Sequence, residues 1–555
     1  MRSRIQSALS RLRGSAVIAL GRGGDGARHH VLSPYADGAR ADRTAAYLSA
    51  AAVGFCLLYG MGVTGLAPQL AAALAAPPLL LGLVVIWALP DTDASVDWAP
   101  TALLFVFVAA LVLWPPYLAF VPPGMPWITL VRLTAFPLAL TLLVCVSISP
   151  SFRSDAAAAL RGVSATWRLL LGFSVVAALS ITWSADTATS AQHFILAQVL
   201  WTSVFFVSVN VFLAEGRARW MAGLLWAMAI VVGVIAAQEW RVRTVLWAGH
   251  IPSFLKIEDP SVVRALAGNY RLSGAYRAQA TFSTPLGLGE YLALTLPFVI
   301  HITMTTRKLA VRMAAALSCA FILLVAALSG ARLSLVGILV GVLLYALAWG
   351  VLKVRSERNS LLGAAAVLSY PAIFTAAVAA SFLVGRIRNV VWGDGSQDSS
   401  NQARIDQWLM GIPKVLDQLW GYGLGMGAIT LKYKPYGILT IDSYYLDILL
   451  EVGVIGFVFY YGMLLSAIYY GASTLWKRGQ LAEEAGLLAP ATIALCAFVV
   501  EKSVFSEPDN HPLAFMLMGM IAALAYRARR QGAKGEEARW ESGGAPRART
   551  AGAGR

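Results

Sequence analysis

TIDSYYLDILLEVGVIGF, residues 440–457, sets Asp442, Asp447 and Glu451 on the lip of a long apolar run. An uncompensated carboxylate in hydrocarbon costs on the order of a few kcal/mol, so acids at such a place are paired, neutralised or at work. The run beyond them continues to about residue 470, long enough to cross a bilayer as a helix. What surrounds this stretch decides which fate each acid has.

Working outward, stretches of about 20 apolar residues recur. They lie near 45–62, 68–89, 100–120, 127–147, 166–183, 194–213, 219–238, 286–304, 309–328, 333–353, 361–385, 443–470, 486–501 and 512–527. The 555 residues are 58% hydrophobic and 13% charged, with mean hydropathy +0.67. A soluble domain carries about 25% charged residues. The sequence therefore predicts an all-α polytopic integral membrane protein of about 12–14 transmembrane helices. APPLLLG and WPPYLAFVPPG, both Pro-rich, bend or split early spans.

The net charge of +15 does not point to nucleic acid, because the excess lies in short loops and tails. One alternating set of loops holds Arg153/Arg161, Arg217/Arg219, Arg307/Lys308/Arg312, Lys353/Arg355/Arg358, Lys477/Arg478 and Arg527/Arg529/Arg530. The opposite set (GVTGLAP, VPPGMPW, SADTATSAQ) has none. The positive-inside rule puts both termini in the cytoplasm. DTDASVDW, residues 91–98, is acidic where the rule expects bases. SAVIAL, residues 15–20, is too short for the apolar core of a cleavable signal. Cys56, Cys145, Cys319 and Cys496 fall inside apolar runs and read as small buried hydrophobes.

Two long external loops result, about 239–285 and 386–442, and long loops in compact proteins tend to be functional. In ARIDQWLMGIPKVLDQL the residues Ile405, Trp408, Leu409, Ile412, Val415 and Leu416 recur at helical spacing, predicting an amphipathic helix on the membrane face. WGYGLGMGA (420–428) is a Gly-rich turn where backbone can approach something closely, and LKYKPYG follows it. The first loop ends in NYRLSGAYRAQATFSTPLGLGEYLAL, with Arg271 and Arg277 just before a span; Arg332 in LSGARLSLVG lies at another external boundary. Together with Arg404 these cations gather at one depth, and guanidinium forks match two oxygens of a diphosphate at once.

RAQATFSTPLGLGEYLA, LSGARLSLVG, RIDQWLMGIPKVLDQLWGYGLGMG and DSYYLDILLEVGVIGF stand in an order that resembles the O-antigen ligase/polymerase superfamily, over roughly residues 190–525. These are bacterial inner-membrane enzymes that join glycans carried on undecaprenyl diphosphate. The resemblance implies a metal-independent glycosyltransferase, needing no cofactor, with a periplasmic site. It implies that Arg277 and Arg404, and more weakly Arg332, hold the lipid diphosphate, supported by Arg271, Glu451, Tyr422 and Lys432. Implied partners are the lipid-linked glycan donor, a glycan acceptor, the bilayer and polysaccharide-export proteins.

One position departs from the family pattern. Where ligases and many polymerases carry a His before the last large span, this chain has TIDSYYL, and the histidines (His29, His30, His193, His250, His301, His511) all lie outside 386–442. Asp442 occupies the matching place. A carboxylate accepts a hydroxyl proton as an imidazole does when burial or neighbours raise its basicity. The polymerase branch is therefore preferred over a lipid A–core ligase.

Plainer roles exist for the same residues. Asp442 suits a helix N-cap. Asp447 suits a structural partner of interior polar groups. Glu451, too deep for direct chemistry, is expected to pair with an arginine and fix the loop's footing. Arg271 and Arg277 suit lipid-phosphate anchors. A flippase or permease is the rival from another class, but transporter sites sit near the midplane between repeated halves, and no repeat is evident.

The expected organisation is a basic tail (1–43) with a short amphipathic helix over 4–19, N-terminal helices (44–189), helices with the first external loop (190–385), a large periplasmic loop (386–442), C-terminal helices (443–527) and a tail (528–555) disordered from 531.

Overall fold

The computed structural model describes residues 71–89, 97–121, 127–257, 260–268, 274–357, 361–385, 398–479, 484–504 and 508–541, with Tyr59, Asp91, Arg388, Leu481 and Ser506 singly. The N-terminal tail, its expected helix over 4–19 and most of the span at 45–62 lie outside the described residues. The chain divides into two units, Met1–Leu79 and Leu80–Arg555, and every candidate site residue belongs to the second.

Of the described residues, 79% are helical. Among the described residues ten helices are long and apolar enough to cross a membrane. With α1 (Ala71–Ala88), α2 (Trp98–Leu113), α3 (Leu130–Ile148), a short α4 (Pro150–Arg161) and α5 (Ser164–Ser180), the first spans follow the apolar runs. Then come α6 (Thr187–Val211), α7 (Arg217–Val242), a short α8 (Pro260–Ala267), α9 (Pro285–Thr305), α10 (Leu309–Ser329), α11 (Arg332–Ser356) and α12 (Leu361–Leu383). The C-terminal part holds α13 (Asp398–Asp417), α14 (Gly427–Leu431), α15 (Tyr444–Arg478), α16 (Leu488–Glu501) and α17 (His511–Glu541). α17 and α9 are the most enclosed spans, and α12 the least.

Two boundaries differ from the sequence expectation. The run at 100–120 ends as a helix at Leu113, because Pro115 and Pro116 cannot supply the N–H groups a helix needs. The chain instead forms β1 (Leu118–Phe120), which pairs antiparallel with β2 (Ile128–Thr129) and with β3 (Leu255–Ile257) from the first long loop, in the order β2-β1-β3. At the C-terminus α17 continues to Glu541, so residues 531–541 are helical rather than disordered.

The acidic stretch at 91–98 has a local explanation. Asp91 pairs with Arg153 at 2.9 Å and Asp97 lies 4.0 Å from Arg217, so both acids meet bases of α4 and α7. At the same end Glu484 accepts the N–H groups of Gly216 and Ala218 and pairs with Arg527 at 2.9 Å. That satisfies free donors at the start of α7.

Candidate functional site

The opposite end of the helices carries Asp442. α15 begins at Tyr444, and its N-cap position is Ser443, which makes no side-chain cap bond. Ser443 Oγ donates instead to the Ser503 carbonyl at 2.8 Å, and Ser506 Oγ donates to that of Ile441. The stretch before α15 is thus stitched to the link between α16 and α17. Asp442 itself is half-buried, and its N–H donates to Gln407 Oε1 of α13 at 2.9 Å. Burial raises its carboxyl above the ordinary aspartate range, against the opposing pull of the Arg404 guanidinium and the Gln407 amide. Asp442 sits between elements rather than on the helix end, so the N-cap position falls to its neighbour.

The Gly-rich turn is bound to a break in α15. Gly453 has φ 68° and ψ −173°, a backbone open only to glycine, and it interrupts the helix. The interruption leaves carbonyls available: Leu450 accepts the N–H of Tyr422 and Glu451 that of Gly423, each at 2.8 Å, while Val454 N–H donates to Leu419 at 3.1 Å. A Cβ on Gly453 would lie 1.9 Å from the Leu419 oxygen, and one on Gly421 2.4 Å from that of Glu451. The two backbones touch because neither carries a side chain there.

Two of the three opening acids serve this turn. Glu451 Oε1 accepts the N–H of Gly425 at 2.7 Å. The expected arginine partner is corrected: the partner is loop backbone, which fixes the loop's footing directly. Asp447 Oδ1 lies against Gly427, where no side chain would fit, at the start of α14. Only Asp442 is left outside this scaffold.

α13 packs against α15 next to Asp442. Gln407, Gly411 and Val415 are buried, and Gly411 lies on Leu446 of α15. Ile405, Leu409, Ile412 and Leu416 remain exposed, so the predicted apolar stripe is divided between protein and surroundings. Lys414 Nζ donates to the carbonyls of Thr430 and Leu431 at the end of α14, and burial, then Lys432, holds its ammonium below the usual lysine range. Tyr422 donates to the Lys414 carbonyl at 3.0 Å, and Lys432 is exposed.

The arginines fall into two groups. Arg404 acts on Asp442 through its charge. Arg277 Nε donates to the Ser329 carbonyl at 3.2 Å, and Arg332 opens α11 three residues further on. Arg271 lies outside the described residues. The link between α16 and α17 reaches the segment that follows Arg277, where Ser283 donates to Asp509 through its N–H and Oγ at 3.0 and 3.2 Å.

A buried polar cluster escaped the sequence reading. Lys502 and Glu290 form an ion pair at 2.9 Å with no exposure on either side. Asn510 Nδ2 donates to Glu290 at 3.0 Å and to the Gly287 carbonyl at 2.8 Å. Lys502 also lies over the rings of Tyr444 and Phe498. The available signal was EKSVFSEPDNHP, a cluster of charge between two apolar runs. Among the described residues no group of three or more His, Cys, Asp or Glu is placed to hold a metal ion.

These features define a polytopic α-helical membrane protein with a polar site at one end, built from long loops on a packed scaffold. Residues 291–461 match the family model described as O-Antigen ligase, which supports membership of the O-antigen ligase/polymerase superfamily and a role of that type in glycan biosynthesis. The matched region holds Arg332, Arg404, Asp442 and Glu451, whereas Arg277 precedes it. No curated protein matches the chain.

Proposed function

We propose that the protein is a membrane glycosyltransferase that extends or transfers glycans carried on undecaprenyl diphosphate at the periplasmic face of the inner membrane. Asp442 accepts the proton of the acceptor hydroxyl as that oxygen attacks the anomeric carbon. The bond from that carbon to the diphosphate breaks, and Arg277, Arg332 and Arg404 compensate the charge left on the lipid diphosphate. The observation that carries this reading is the setting of Asp442: half-buried, raised in basicity, within the field of Arg404, and not engaged in the scaffold that uses Glu451 and Asp447. The basic residues at the far end, where Asp91 and Asp97 are met by arginines, support this orientation.

Polymerisation is favoured over ligation to lipid A–core because Asp442 stands where ligases carry His. The test is purified protein in liposomes with a lipid-diphosphate-linked glycan and no ATP. Release of polyprenyl diphosphate with a lengthened lipid-linked glycan supports the polymerase. Transfer only to added lipid A–core identifies a ligase. Movement of the intact donor across the bilayer without bond making would leave a flippase.

A further inference from the structure

Glu239 stands in the last turn of α7, with no exposure, and its carboxyl gathers three donors from a single short segment. Oε1 accepts the Tyr276 hydroxyl at 2.9 Å and the Gln279 N–H at 3.0 Å, while Oε2 accepts the Ala280 N–H at 2.7 Å. Both oxygens are thus spent on residues 276–280, and the segment wraps so tightly that Ala280 takes φ +50°. The residues between face the other way. Ala278 N–H donates to the Leu328 carbonyl and Arg277 Nε to that of Ser329, at the turn that leads into Arg332.

We propose that Glu239 is the positioning residue for Arg277: by holding Tyr276, Gln279 and Ala280 it forces the intervening arginine onto the α10–α11 turn beside Arg332. A carboxyl is required because two acceptor oxygens meet three donors. Gln in its place would aim an NH₂ at an N–H or hydroxyl that needs an acceptor. The inference rests on the proposal that Arg277 holds the donor's diphosphate, and it adds a residue from a different span, 38 positions upstream, to that site.

The experiment measures donor KM, acceptor KM and kcat in liposomes for Glu239→Gln, Arg277→Ala and the double variant. Glu239→Gln is expected to raise the donor KM about tenfold, on the scale of one charge-assisted hydrogen bond, with the acceptor KM unchanged. In the Arg277→Ala background the same change should add less than about twofold, because residues acting through one another are not additive. Additive losses, or equal rises in both KM values, overturn the inference. Normal kinetics in Arg277→Ala overturn the diphosphate reading itself, and the positioning role with it; normal kinetics in Glu239→Gln alone overturn only the latter. If Glu239→Gln does not accumulate in the membrane, Tyr276→Phe removes one of the three bonds, and the same pattern is expected at smaller size. A wild-type donor KM in that variant counts against the proposal.

Discussion

The carboxyl of Glu451 accepts the N–H of Gly425 at 2.7 Å, across the break that Gly453 makes in α15. An acid within a membrane-spanning helix is thereby satisfied by loop backbone, and the loop acquires a fixed height above the helix. The same contact leaves Asp442, nine residues earlier, as the acid of the three that faces α13 and Arg404.

Asp442→Asn keeps the size of the side chain and removes the proton acceptor. Because the N-cap position belongs to Ser443, stability should change by less than the ~1 kcal/mol of a lost cap. Activity should fall about 10²–10⁴-fold, the usual cost of losing a general base. Product length and polyprenyl diphosphate release measure it. Wild-type turnover in a folded Asn variant removes Asp442 from the chemistry and moves the search to Asp398 and Asp406.

The acid limb of the pH–rate profile should lie above the ordinary aspartate range, since burial raises the Asp442 carboxyl and the base must be unprotonated. Stability runs the other way. A folded value above the unfolded one means the native state binds the proton more tightly, so this group's contribution falls as pH rises between the two values. Arg404→Gln removes the guanidinium that opposes the shift, and the limb should move further up. A limb that moves down, or stays, separates Arg404 from Asp442.

Lys at position 277 or 404 keeps the charge but loses the bidentate fork. Either change should cost about tenfold or more in kcat/KM for the donor, given ~1.5–3 kcal/mol for a charge-assisted bond. Full activity of both Lys variants at unchanged protein level would count against the diphosphate role.

Gly453→Ala tests the broken helix. Alanine at φ 68° and ψ −173° would be strained by about 1–3 kcal/mol, before the collision with the Leu419 oxygen at 1.9 Å. A lower melting temperature in detergent and loss of activity are expected together. Gly462, in the same helix, has its nearest neighbour at 3.4 Å, so Gly462→Ala should be tolerated. Equal behaviour of the two variants would mean the break at Gly453 is not needed.

Orientation is checked with single cysteines in a background lacking Cys56, Cys145, Cys319 and Cys496. Lys434 and Lys477 are both exposed, at opposite ends of the helices. In cells stripped of their outer membrane, an impermeant thiol reagent should label Lys434→Cys and spare Lys477→Cys. The reverse pattern inverts the topology and removes the periplasmic site.

From sequence alone came the class, nearly every described span, the two long loops, the amphipathic α13 and the Gly-rich turn. A bilayer imposes a local rule: about 20 consecutive apolar residues with their backbone bonds satisfied internally. Such a rule can be read segment by segment, and glycine and proline mark its interruptions in place. The ordered motifs carried the family in the same way. Partner choice is not local. Lys502 meets Glu290 from 212 positions away, Glu239 meets Ala280 from 41, and Glu451 meets Gly425 rather than an arginine. No spacing in the chain reports those distances, because a buried acid is satisfied by whichever donor the packed helices bring to it. The three acids of residues 440–457 look alike as letters; only their tertiary neighbours make two of them scaffold and leave Asp442 against α13, in the field of an arginine.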